Sequence, residues 1–86
     1  MTFRIRVLKT ARKYILKQDR VTRERITKIL ETLAEDPRCE GAIELTNGNG
    51  EWRIRVGRYR ILYKIEDEDL WVIVAKVGPR GEVYKD

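Results

Sequence analysis

The stretch Glu51–Ile65, EWRIRVGRYRILYKI, alternates apolar and polar residues twice and breaks the pattern once, at Gly57-Arg58. Successive side chains of a strand point to opposite faces, so this is the pattern of two strands, each with one apolar face. Trp52, Ile54 and Val56 share a face, and Arg53 and Arg55 share the other. A two-residue turn at Gly57-Arg58 places Arg55 directly opposite Arg60, with Arg53 one pair along. Like charges opposed on a sheet destabilise it. Four arginines, Arg53, Arg55, Arg58 and Arg60, nevertheless lie within eight positions. Taken alone, the alternation also describes the solvent face of an ordinary amphipathic strand. The opposed charges call for an anionic partner.

The remaining elements follow from period and punctuation. FRIRVL alternates Phe3, Ile5 and Val7 against Arg4 and Arg6, as a first strand does. KTARKYILKQ sets Ala11, Tyr14, Ile15 and Gln18 at helical spacing. A second helix, RVTRERITKILETLAED, carries Ile26, Ile29, Leu30, Leu33 and Ala34 on one stripe, with Asp19 or Thr22 as its cap and Pro37 as its end. The short polar link between the helices predicts an antiparallel helical hairpin. Ala42-Ile43-Glu44-Leu45 is expected to dock on the core, and Asn47-Gly48-Asn49-Gly50 to turn. The run LWVIVAKV is apolar almost throughout, which predicts a central strand buried on both faces. Its register with the preceding strand, and with it the face of Lys76, is left to the structure. The fold class is therefore α+β: an N-terminal strand, an antiparallel helical hairpin, then a three-stranded antiparallel meander, with the helices packed on one sheet face. Residues 1–86 read as one domain.

Charge distribution narrows the function. Residues 1–30 hold ten Lys or Arg against two acids, residues 31–51 one against six, and residues 52–65 five against none. A directed basic surface of this kind suits nucleic acid or another polyanion. Cys39 is the single cysteine and histidine is absent, so neither an internal disulfide, a thiolate zinc cage nor a histidine base is available. No metal or cofactor is expected. No apolar run approaches the length of a membrane span, and the first residues lack the apolar region of a signal peptide, so the expected location is the cytoplasm. Cys39 reads as a partly buried filler, Trp52, Tyr59, Tyr63 and Trp71 as core, and Glu66–Asp69 as a solvated turn.

The segment GEWRIRVGRYRILYKIEDEDLWVIVAKVGPRGEVY resembles the RelE/ParE superfamily of toxins, and specifically its RelE branch. The resemblance rests on the order of an aromatic–basic–apolar–basic strand, GRYRILY, an acidic turn, an apolar strand, VGPR and EVY. It implies a metal-independent endoribonuclease that cuts messenger RNA, with ribosomal A-site action in the best-known members. In that chemistry a 2′-hydroxyl attacks the adjacent phosphate to leave a 2′,3′-cyclic phosphate. By position, the family's basic active-site residues fall on Arg53, Arg55, Arg60 and Arg80, and its tyrosine on Tyr84. The resemblance also implies a cognate antitoxin that holds the toxin inactive in a hetero-oligomeric complex. Relatives of the same fold that poison gyrase, and a catalytically inactive RNA-binding relative, are the alternatives.

The residues themselves fit such chemistry. Guanidinium groups stay charged and bind phosphate oxygens in a fork, so several converging on one phosphate stabilise the charge of its transition state. Relief of mutual repulsion when phosphate binds then accounts for the opposed arginines. Arginine is a poor proton acceptor, which leaves Tyr84 as base or acid, or as a platform for a base beside the cut. Arg58 in the turn and Lys9, Arg12, Lys13 and Lys17 on the first helix are candidate RNA-binding residues, alternatively read as solvated charges.

Overall fold

The computed structural model describes residues 2–46 and 50–79. The elements run β1 (Arg4–Val7), α1 (Lys9–Leu16), α2 (Arg20–Glu35), β2 (Ile43–Glu44), β3 (Glu51–Val56), β4 (Tyr59–Glu66) and β5 (Trp71–Pro79). The strands form one sheet in the order β1-β5-β4-β3-β2. Strands β3, β4 and β5 make the expected antiparallel meander, and β1 returns parallel to β5 on its far side, Ile5 opposite Val72.

Helix α2 starts where its sequence provides a cap. The Asp19 carboxylate accepts a hydrogen bond from the Thr22 N–H at 3.1 Å, which settles the capping residue. That bond holds the Asp19 carboxyl below its ordinary range. The helix ends at Glu35 because Asp36 precedes Pro37 and is driven to extended backbone, φ −152°. Both helices lie on one face of the sheet. Ala11, Ile26 and Leu33 meet Ile54, Ile61, Tyr63, Val72 and Val74 there, all almost fully buried. The Tyr63 hydroxyl donates to the Pro37 carbonyl at 2.6 Å, so the buried phenol is satisfied and tied to the end of α2.

Four expectations change. First, β5 is central but buried on one face only. Val72, Val74 and Val77 face the helices, while Ile73 and Ala75 keep part of their surface, because no described helix lies on the other face. Second, the segment at Ala42–Leu45 splits. Ala42 packs against the core, whereas Ile43 and Glu44 form the short edge strand β2, with Ile43 49% exposed. Third, Trp71 is not a core residue. It pairs with Arg4 and Glu66 across the open face, and the Arg4 guanidinium lies 5.4 Å from its ring.

Fourth, the acidic turn is more than solvated. Asp67 takes a forked pair of hydrogen bonds from Arg38, at 3.0 and 2.9 Å, and Arg38 lies 5.5 Å over the Trp52 ring. The pair joins the β4–β5 turn to the chain leaving α2. Among the described residues no helix is long and apolar enough to cross a membrane. The turn signal at Asn47–Asn49 lies outside the described residues.

Candidate nucleic-acid interface

The hairpin turn places the arginines. Gly57 has φ +58° and is the only one of the two turn residues with positive φ, the pattern of a type II′ turn. Val56 and Tyr59 flank it, and the next pair is Arg55 opposite Arg60, as the sequence predicts. On the same face, one pair along, Arg53 stands opposite Leu62, and Leu62 opposite Lys76. Lys76 therefore joins the arginine face. On its β5 side Arg60 faces Gly78, which has no side chain to fill the space.

The result is a depression of about 390 Å³ lined by Arg55, Gly57, Arg58, Arg60 and Pro79. Its lining is partly buried. Arg60 is only 8% exposed, and beside the depression on the same face the Arg53 Nε is buried without a hydrogen-bond partner among the described residues. Charge in such a setting is weakly screened, so an anion brought into it is bound more strongly than at an open surface. Leu62 sits between Arg53 and Lys76 at 5% exposure, and the long stems of basic side chains shield apolar surface in this way.

The remaining predicted positions divide. Arg58 is exposed at the turn and lines the depression. Lys9, Arg12, Lys13 and Lys17 are exposed too, but α1 covers the other face of the sheet, so the structure does not bring them to the arginine cluster. Arg80 and Tyr84 lie outside the described residues. Cys39 is half-buried and burial pushes its thiol up, as suits a packing residue rather than a nucleophile. Burial pushes the Tyr63 phenol up as well, which removes it as a proton acceptor.

Two further basic residues reach this region, one whose face the sequence left open and one the sequence did not single out. Lys76 is the first. Arg25 is the other: a Cβ added at Gly57 would stand 3.6 Å from its guanidinium, and it lines a second depression of about 260 Å³ with Thr22, Arg58 and Tyr59. Helical spacing places Arg25 beside buried Ile26, but its approach to the turn depends on how α2 packs on the sheet. The helices in turn brace the hairpin. The Tyr59 hydroxyl donates to Gln18 Oε1 at 3.3 Å, and the Tyr59 and Tyr14 rings meet edge to face at 6.2 Å.

Comparison with known proteins identifies the fold and the family. Residues 5–84 match the family described as ParE toxin of type II toxin–antitoxin system, parDE. The isolated RelE toxin of E. coli is 31% identical, with 98% of this chain and 92% of that chain covered, at a TM-score of 0.78. The chain belongs to the RelE/ParE toxin superfamily. It is a toxin of the type II toxin–antitoxin class with the RelE fold. The same fold recurs in the archaeal RelE–RelB complex from Pyrococcus horikoshii OT3, at 24% identity over 94% of this chain and 98% of that chain, with a TM-score of 0.83. A YoeB/ParE toxin from Agrobacterium tumefaciens shares it at 14% identity over 91% and 99% of the two chains, with a TM-score of 0.79. A comparison with the curated proteins finds no match.

Proposed function

We propose that this toxin is a metal-independent endoribonuclease that cuts messenger RNA on the ribosome and so arrests translation in the cytoplasm. The observation that carries the reading is the Arg55–Arg60 pair at the rim of the depression, with Arg53 and Lys76 one pair along on the same face. Opposed like charges on adjacent strands cost stability, and a scissile phosphate between them removes that cost. Arg60 and Arg80 clamp the phosphate, while Arg53 and Arg55 hold the backbone and the leaving group. The 2′-hydroxyl attacks phosphorus, the bond to the 5′-oxygen breaks, and the products are a 2′,3′-cyclic phosphate and a 5′-hydroxyl. The guanidinium groups stabilise the phosphorane's charge, and Tyr84 moves the proton.

The partner in the resting state is a cognate antitoxin. Relatives of this fold have been solved as toxin–antitoxin complexes, among them the RelBE2 pair from Mycobacterium tuberculosis. An antitoxin that supplies carboxylates to the arginine face would neutralise the same charges that bind RNA.

The test is induction of the protein in cells followed by primer extension on an abundant transcript, beside an Arg60→Ala, Arg80→Ala double variant. Cleavage confined to translated regions and absent in the variant is the expected result. Growth arrest without RNA cleavage would transfer the target to gyrase, the reading that the ParE family name favours. Binding without cleavage or arrest would make the chain an inactive RNA-binding relative.

A further inference from the structure

The arginine face extends well beyond the depression. Register across the sheet places Lys76 of β5 opposite Leu62, and Arg6 of β1 opposite Ile73, which is itself opposite Lys64. Arg4 follows, opposite Trp71. Arg60, Lys76, Arg6 and Arg4 therefore form a diagonal across β4, β5 and β1. Strand spacing and rise put the steps between them at roughly 8, 8 and 7 Å, with Arg4 roughly 22 Å from Arg60. Steps of this size lie within the reach of flexible arginine and lysine side chains to successive phosphates of an extended single strand.

The end of the diagonal has a different chemistry from its middle. The Arg4 guanidinium lies 5.4 Å from the centre of the Trp71 ring, within cation–π range, so a flat cation and a flat aromatic are neighbours on an open face. Unpaired bases stack on both kinds of plane. Carboxylates on this face border the diagonal rather than interrupt it. Glu51 is opposite Lys64 on β3, and Glu66 turns back to accept from the Glu68 and Asp69 N–H groups at 2.9 and 3.0 Å. A strand leaving the depression along β3 instead would run into Glu51.

We propose that Lys76, Arg6, Arg4 and Trp71 form an extended subsite for single-stranded RNA. It takes the phosphates on one side of the cut, and a base stacks at the Arg4–Trp71 pair. The subsite rests on the ribonuclease reading for its register relative to the scissile phosphate. Its contribution is strand positioning, and none of the four residues touches the reacting atoms.

The test uses 2′-O-methyl oligoribonucleotides, which cannot be cut, at lengths of about three and about eight nucleotides. Binding is followed by anisotropy across a salt series. The wild type should gain affinity with length, and Arg4→Ala, Arg6→Ala should lose most of that gain, about tenfold, with a salt slope lower by about 1.4. Arg20→Ala, Lys28→Ala removes the same charge from the outer face of α2 and should keep the gain. In a Trp52→Phe background the long oligonucleotide should quench the remaining tryptophan, Trp71, and the short one should not. Equal behaviour of the two double variants, or no quenching, overturns the subsite. Cleavage of unmodified transcripts in that event keeps the ribonuclease reading. Binding with the predicted length gain but no cleavage, on or off the ribosome, sinks the ribonuclease reading and keeps the subsite. A wild type that binds neither oligonucleotide overturns the subsite, and the ribonuclease reading is then decided by cleavage on the ribosome alone.

Discussion

The two faces of one sheet are built from the same strands and do opposite work. The helix-covered face carries Ile54, Ile61, Tyr63, Val72 and Val74, nearly all sealed from water, and the Tyr63 phenol is satisfied by the Pro37 carbonyl. The open face carries Arg53, Arg55, Arg60 and Lys76 on neighbouring pairs, an arrangement that works against the sheet that holds it. Burial on the first face supplies the free energy that lets the second remain charged. The difference teaches that the alternation in β3 and β4 separates stability from function residue by residue.

Substitutions of neighbours in sequence should therefore diverge. Ile61→Ala on the closed face should cost about 2–5 kcal/mol in denaturant melts. A loss under 1 kcal/mol would mean that this face is not the main source of stability. Arg60→Ala, the adjacent residue, should lower RNA cleavage by about 10²–10³-fold, with a midpoint shift well below that of Ile61→Ala. An unchanged rate would break the functional half of the comparison. Tyr63→Phe should cost about 1–3 kcal/mol by leaving the Pro37 carbonyl without its donor, and leave cleavage intact.

Arg55→Thr sharpens the contrast further, because stability and activity should move in opposite directions. Removing one of two opposed charges should stabilise the fold by about 0.2–1 kcal/mol while cleavage falls. The smallest effect belongs to the Arg38–Asp67 fork. Arg38 holds the Asp67 carboxyl below its ordinary range, so the pair contributes stability above about pH 4 and loses it as pH falls through the lowered value. Asp67→Asn should flatten the acid limb of a Tm-against-pH curve. The pair is exposed, so the change should be modest and should fade at high salt.

Much of this was legible from local pattern. Helix α2, its end before Pro37, the two-residue turn and the Arg55–Arg60 pairing all depend on residues close in sequence, where period and turn length decide geometry. Apolar content alone misled at β5, because a strand rich in Val and Ile does not reveal whether a second layer covers it. Trp71 was misplaced for the same reason: aromatic size predicts burial, but its partner Arg4 sits on a strand 67 positions away in sequence.

Lys76 shows the limit most clearly. Strict alternation from Val72 and Val74 would put it opposite Ile61, facing the core. A register shift between Leu62 and Tyr63 admits Ala75 as one extra residue, and Lys76 moves to the arginine face with Val77 taking the core position. The sequence by itself determined the helices, the four longer strands, the hairpin turn and the local pairing of charge, because those are set within a few residues. The tertiary structure alone decided that β5 is covered on one face only, that β1 lies parallel beside β5, and that a bulge turns Lys76 outward. Each of these is a contact between segments far apart in the chain, chosen by how the whole core packs.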